Sequence, residues 1–244
     1  MMKRLDDILG MSLKIYQDSD YFCFSIDSVI LASLSHINLR CKNICDLGTG
    51  NGVVPLILSK RFRGNIVGVE LQKDLSSLAK MSVNINKLSN ISIVNSDMRD
   101  YAKDDNLNKF DLVLCNPPYF KYDPNKTLNR NSHKTIARHE DNISLDEIFW
   151  CSNLLLKEGG RFATVNRCDN LIYVIETLKK NGFEPKYLRF VYDSIDNLPN
   201  LFIMEGIKCG KSGIKVDKPF IMHNLDGSNT QEYEEIIGGK YDSK

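Results

Sequence analysis

The chain has 244 residues, 42% of them hydrophobic, and its 32 basic and 31 acidic side chains leave a net charge of +1. That length supports one substantial core and is cramped for two, and the near-balance means bulk charge does not mark a nucleic-acid binder. No run approaches 18 apolar residues, and the cysteines (Cys23, Cys41, Cys45, Cys115, Cys151, Cys168 and Cys209) are odd in number, scattered and without a C-x-x-C pair. A membrane span, a disulfide framework and a zinc site are thereby disfavoured, and a soluble protein of the reducing cytoplasm is expected.

In chain order, Leu13, Ile15, Tyr21, Phe22 and Phe24 alternate with polar residues around Gln17-Asp18-Ser19-Asp20, which predicts a β-hairpin or paired extended segments over 11–25. Asp27 is the expected cap of a helix over 28–37. Strands are then predicted at 43–47, 65–69, 91–95, 110–115, 161–166, 186–191 and 201–207, and helices at 53–62, 72–88, 144–156 and 169–181. This alternation predicts an α/β fold: a mainly parallel seven-stranded sheet with helices on both faces, holding ligands at the carboxyl ends of its strands. Residues 1–40 are expected as a small hairpin and helix extension packed on the core, 41–225 as the main domain, and 226–244 as a polar tail. Within that tail, Tyr233 to Ile237 allow one turn of helix.

Gly48-Thr49-Gly50-Asn51-Gly52 follows the first core strand and precedes an apolar helical run. Such a loop brings a cofactor to a helix N-terminus. Dinucleotides want G-x-G-x-x-G, whereas this spacing is G-x-G-x-G with Asp46 before it. A carboxylate there repels pyrophosphate and suits an ammonium or sulfonium, both of which S-adenosylmethionine carries. Glu70, at the end of the next strand, is placed to accept from ribose hydroxyls, and Asp97, after the third, from an adenine amino group. Each acid alone reads equally as a solvated strand end or a helix cap. Their joint placement after separate strands argues for a site.

A fourth strand end carries Leu114-Cys115-Asn116-Pro117-Pro118-Tyr119-Phe120. Consecutive prolines force extended backbone and free carbonyls, so the Asn116 side-chain oxygen and the Pro117 carbonyl can both accept from an –NH₂ group. Tyr119 or Phe120 can stack on the flat base that bears it. Without the upstream loop, the motif would read as a Pro-rich turn.

Taken together, Asp46-Leu47-Gly48-Thr49-Gly50-Asn51-Gly52, Glu70, Asp97 and Asn116-Pro117-Pro118-Tyr119 resemble the class I S-adenosylmethionine-dependent methyltransferases that act on amino groups. Phe22-Cys23-Phe24-Ser25-Ile26-Asp27-Ser28-Val29-Ile30-Leu31, Ala137-Arg138-His139-Glu140 and the segments from Glu205 to Val216 and Tyr233 to Ile236 narrow the resemblance. They are similar to the bacterial tRNA(Val) adenine N6-methyltransferases, which modify the base next to the anticodon. One departure is Cys209, in a lysine-rich tail with fewer glycines than that family pattern. The resemblance implies S-adenosylmethionine as cofactor, with Asp46, Gly48 and Gly50 at the methionine part, Glu70 at the ribose, Asp97 and Met98 at the adenine, and Asn51, Leu71 and Asn116 as further cofactor contacts. Ser25 and Asp27 would close the methyl end, and Asn116, Pro117, Pro118 and Tyr119 would be the catalytic corner. The tRNA anticodon loop is the implied partner, with no membrane and no metal.

Between 121 and 139 lie Lys121, Lys126, Arg130, His133, Lys134, Arg138 and His139 against the single acid Asp123, in a stretch with little hydrophobic periodicity. Charge runs are commonly solvated faces, but beside a base-sized pocket Phe120, Lys121, Lys126, Arg130, Lys134, Arg138 and His139 become candidate RNA contacts. Arg138-His139-Glu140 reads either as a substrate-contacting triplet or as a lid hinge. A second set, Lys208, Lys211, Lys215 and Lys218, carries the same two readings. The same corner also serves glutamine N5-methylation of a release factor, a reading that wants an N-terminal recognition domain for which the short leader leaves little room. Methylation of an rRNA base is excluded only by the flanking signatures.

Overall fold

A computed structural model describes residues 3–19, 21, 23–118 and 143–239. The chain opens with an antiparallel hairpin of β1 (Lys3–Asp7) and β2 (Lys14–Asp18), Lys3 opposite Asp18 and Asp7 opposite Lys14. The hairpin therefore lies earlier than its polar residues suggested. Its reversal, with Leu9 and Ser12 at positive φ, carries the buried Ile8 and Met11 into the core, while Gln17 and Asp18 are buried strand residues. A turn that is itself packed inward carries an apolar pattern, which hides it from a search for polar turn residues.

Helix α1 (Ile26–Leu34) follows, then β3 (Asn43–Leu47), α2 (Val53–Leu58), β4 (Asn65–Glu70), α3 (Lys73–Ile85), β5 (Ile91–Asn95), a short α4 (Met98–Tyr101) and β6 (Phe110–Cys115). After the undescribed stretch come α5 (Leu145–Leu155), β7 (Leu156–Arg167), α6 (Leu171–Lys180), β8 (Phe183–Ser194), β9 (Leu201–Lys208), β10 (Lys215–Val216), β11 (Phe220–His223) and α7 (Gln231–Ile237). The main sheet runs β5-β4-β3-β6-β7-β9-β8-β10, with β11 also on β8. The strands from β5 to β7 are parallel and β9 is antiparallel to both neighbours. Seven of these nine strands are the predicted ones; the short β10 and β11 add to the β8 edge and carry too few residues to show a period.

Period-2 alternation divides the core between the two faces of the sheet. Ile44, Leu112 and Leu114 pack with α1, α2 and the hairpin, whereas Cys45, Leu47 and Val113 pack with α5 and α6. Helix α1 starts and stops two to three residues before its predicted bounds, with Ser25 rather than Asp27 at the N-cap. Its C-terminal end is set from outside: Ser35 turns back onto the Leu31 carbonyl, and the His36 backbone N–H donates to the buried Glu205 at 2.8 Å. The predicted polar tail contains α7, whose Ile236 is 5% exposed, and the Gly10 N–H donates to the Ile237 carbonyl.

Candidate active site

Strand order reverses between β3 and β6, since β4 and β5 extend one way from β3 while β6 and β7 extend the other. Loops leaving adjacent strands in opposite directions open a crevice at their carboxyl ends. Here that crevice is a cavity of about 440 Å³, a size suited to a cofactor-like ligand. Of the sequence-predicted residues, Ser25, Asp46, Gly48, Gly50, Asn51, Glu70, Leu71, Asp97, Met98, Asn116, Pro117 and Pro118 line it. Asp27, in the first turn of α1, is not among the lining residues. Tyr119, Phe120, Lys121, Lys126, Arg130, Lys134, Arg138 and His139 lie outside the described residues.

The glycine loop is stitched to β4. The Gly48 and Thr49 N–H groups donate to the Val69 carbonyl at 2.9 and 3.0 Å, and Gly50 N–H donates to Glu70 Oε2 at 2.8 Å. Glu70 Oε1 accepts from Gln72 N–H at 2.8 Å, so the carboxylate is held from both sides before any ligand arrives. Gly52, at φ +89°, allows a left-handed turn into α2, and a Cβ there would meet the Ala79 Cβ at 3.1 Å. That close approach brings α3 against the loop.

Asp46 is 1% exposed, and its Oδ2 has no hydrogen-bond partner. Burial pushes its carboxyl up to about 7, against the Thr49 hydroxyl, which favours ionisation, while Glu70 adds a further upward push. Burial likewise raises the Glu70 carboxyl, opposed by the backbone N–H groups that hold it. An acceptor-rich floor carrying one unsatisfied buried carboxyl oxygen fits an ammonium donor and is the wrong sign for phosphate.

Asn116 stands one residue beyond β6, two positions past Leu114, the residue paired with Asp46 of β3. Its Nδ2 donates to Ser28 Oγ at 2.8 Å, and its buried Oδ1 has no partner. With Asp46 Oδ2, this makes two buried acceptor atoms without a partner on residues lining one cavity. Buried acceptors are normally paired, so two together mark a place built to receive donors. Pro117 is buried and Pro118 exposed, the corner turning from core to rim.

Asp97 differs from its expected state. Both of its carboxylate oxygens are engaged by Arg99, with contacts from 2.5 to 3.1 Å, and it caps α4 by accepting from Arg99 N–H. Arg99 holds the carboxyl below its ordinary value and reaches on to Glu147, which forms a capping box with Ser144 at the start of α5. An adenine amino group at Asp97 would therefore share lone pairs already used by Arg99.

Sequence reasoning passed over several residues of the site. Phe24, Ser28, Thr49, Gln72, Leu75, Arg99, Ile143 and Ile148 also line the cavity. Phe24, Ser28 and Thr49 sit inside the quoted motifs and Arg99 two residues after Asp97, so local signals existed for those four. Gln17 accepts from Phe24 N–H at 3.1 Å and Asn51 Nδ2 at 3.5 Å and donates to Asp6, tying the hairpin to the glycine loop. The second basic set resolves largely into local structure. Lys208 donates to Asn108, the Asn153 carbonyl and the Leu156 carbonyl, while Lys215 pairs with Asp217 and Lys218 with Glu232. Among the described residues no cluster of three His, Cys, Asp or Glu side chains has the arrangement of a metal site, and no helix is long and apolar enough to cross a membrane.

Comparison with known proteins gives a consistent result. Residues 40–213 match a protein family described as a methyltransferase domain. A protein of Parabacteroides distasonis named tRNA1(Val) (adenine(37)-N6)-methyltransferase is 26% identical over 192 residues, covering 78% of this chain and 79% of its own. One of the same name from Shewanella sediminis is 24% identical over 249 aligned positions, covering 96% of this chain and 99% of its own. Among solved structures, one described as a predicted O-methyltransferase from Agrobacterium tumefaciens superposes with a TM-score of 0.70 at 17% identity, covering 88% of this chain and 97% of that one. At that identity the likeness is one of fold.

Proposed function

The chain belongs to the methyltransferase-domain family, and from that premise we propose that it methylates the exocyclic N6 of an adenine in tRNA, at position 37 of tRNA(Val). Its cofactor is S-adenosylmethionine, which supplies a methyl group activated on a sulfonium centre. The observation that carries the substrate class is the buried, partnerless Asn116 Oδ1 on a residue lining the same cavity as the glycine loop. The names of the relatives support tRNA and position 37.

An adenine amino nitrogen is a weak nucleophile because its lone pair is delocalised into the ring. Accepting its two N–H groups at Asn116 Oδ1 and the Pro117 carbonyl favours a pyramidal nitrogen and aims the lone pair out of the ring plane. Those two oxygens also stabilise the positive charge that grows on nitrogen as the new bond forms. Positioning of this kind supplies roughly 7 to 11 kcal/mol in well-oriented systems, so a dedicated base is not required and the proton leaves to water. Asp46 takes the ammonium of the cofactor, Glu70 the ribose hydroxyls, and the Asp97–Arg99 pair borders the adenine. Tyr119 or Phe120 stacks on a base splayed from its loop, which costs little for an anticodon-loop nucleotide.

The test is methyl transfer from labelled S-adenosylmethionine to unmodified tRNA(Val), the same tRNA with guanine at position 37, rRNA and a release factor, with products identified by mass. N6-methyladenosine in the first tRNA alone is expected. Label in rRNA or in a glutamine side chain, with none in tRNA, would overturn the assignment. Charge reversal at Lys126, Arg130 and Lys134 should weaken tRNA binding and flatten its salt dependence; an unchanged salt slope would remove these three as phosphate contacts.

A further inference from the structure

We infer that Ser28 is a positioning residue whose hydroxyl fixes the orientation of the Asn116 amide, so that an oxygen rather than an –NH₂ group faces the acceptor nitrogen. The inference rests on the amino-group reading above and adds to it a residue outside the Asn-Pro-Pro corner. An asparagine amide has two ends of nearly the same shape and opposite hydrogen-bonding sense, and only one can receive a substrate N–H. Flipping it places a donor against a donor and undoes the site without moving the backbone. The fold must therefore hold the oxygen end toward the acceptor nitrogen.

The amide's partner is a side chain 88 residues earlier in the chain; a serine hydroxyl can accept or donate, and here it accepts. Ser28 lies in the first turn of α1, 7% exposed, and its Oγ accepts from Asn116 Nδ2 at 2.8 Å. With Nδ2 so engaged, Oδ1 is the atom left buried and partnerless. Both residues line the cavity. Helix α1 is itself anchored away from the site, where the His36 backbone donates to Glu205 and Arg61 Nη2 donates to the Ser35 carbonyl at 3.1 Å. The hydroxyl is thus presented from a fixed element rather than from a loop.

A carboxylate at position 116 has no wrong end, which supplies the decisive comparison. Ser28→Ala should lower kcat about tenfold, the scale of one lost orienting hydrogen bond, with the Kd for S-adenosylmethionine unchanged within about twofold. Ser28→Thr, which keeps the hydroxyl, should restore most of the rate. In an Asn116→Asp background Ser28→Ala should cost less than about twofold, because the symmetric carboxylate needs no orienting. An equal loss in both backgrounds would show that Ser28 only supports packing, and would overturn the inference.

A second readout needs no turnover. In nitrogen-15-labelled protein, the Asn116 side-chain amide protons should show cross-relaxation to the Ser28 β-protons, and Ser28→Ala should release that amide into exchange between two orientations. Amide protons directed away from Ser28 in the native protein would overturn the inference whatever the substrate proves to be. Should the native enzyme methylate a glutamine amide instead, the proposed substrate fails while Ser28 keeps its role. Should Asn116→Ala retain full turnover, the acceptor role itself fails, and the amide orientation still decides what Ser28 does.

Discussion

Asn116 and Asp46 stand near the ends of adjacent strands, and each holds an acceptor atom that the fold leaves without a partner. Asn116→Ala removes one acceptor from the developing charge. Single-turnover methyl transfer should fall about 100-fold or more while the affinity for S-adenosylmethionine stays near native. For Asp46 the consequence is a pH dependence. Its carboxyl ionises near pH 4 in the unfolded chain and is pushed up to about 7 in the fold. Between those values the folded protein holds a proton that the unfolded chain has lost, so stability falls as pH rises through that window. The cofactor-free protein should therefore lose unfolding free energy between about pH 4 and pH 7, by at most about 4 kcal/mol, and Asp46→Asn should flatten this loss. An ammonium group would favour the ionised carboxylate and displace the proton. Native affinity for S-adenosylmethionine should then drop below pH 7, whereas Asp46→Asn should bind weakly with no such slope; isothermal titration across pH measures both.

At the scale of elements, the glycine loop depends on the hairpin as much as on β4. Gln17 is 4% exposed and reaches Asp6, the Phe24 N–H and Asn51. Gln17→Ala strands a buried backbone donor and loosens the loop. A loss of about 1 to 3 kcal/mol in chemical denaturation is expected, together with weaker cofactor binding. Element ends show how far a sequence reads. The centres of the strands that carry the site were legible, because fully buried runs such as Ile44-Cys45-Asp46-Leu47 and Leu112-Val113-Leu114-Cys115 announce themselves. The C-terminal end of α1 was not, because the group that stops it, Glu205, lies 169 residues away. The hairpin reversal was misplaced for a related reason: its Ile8 and Met11 belong to the core, so the turn carries a core pattern.

For the whole molecule, the sheet carries a charge pair that is separate from the cavity. Glu205, fully buried on β9, pairs at 2.5 Å with Arg161, near the middle of β7, and neither lines the cavity. His36 Nδ1 lies 3.0 Å from the same carboxylate. Arg161→Ala would leave that carboxylate buried without its main partner, a change that costs on the order of 3 kcal/mol. The expected outcome is a lower unfolding midpoint with kcat close to native at temperatures where the variant remains folded. A loss of kcat in the folded variant would show that the ion pair and the cavity are coupled.

Local chemistry along the chain was enough to pick out the glycine loop, the acids at the ends of β3 and β4 and the Asn-Pro-Pro corner that line the cavity, since each depends on backbone conformations and side-chain types that neighbouring residues dictate. What required the folded molecule was every choice between equivalent arrangements. Which end of the Asn116 amide faces the cavity depends on Ser28, whether Asp97 is free depends on Arg99, and how the glycine loop meets the hairpin depends on Gln17. Hydrogen bonds accepted by Ser28 and Gln17 join residues 88 and 34 positions apart. No periodicity or local propensity encodes such partners; they meet only when packing of the sheet and helices brings their elements together.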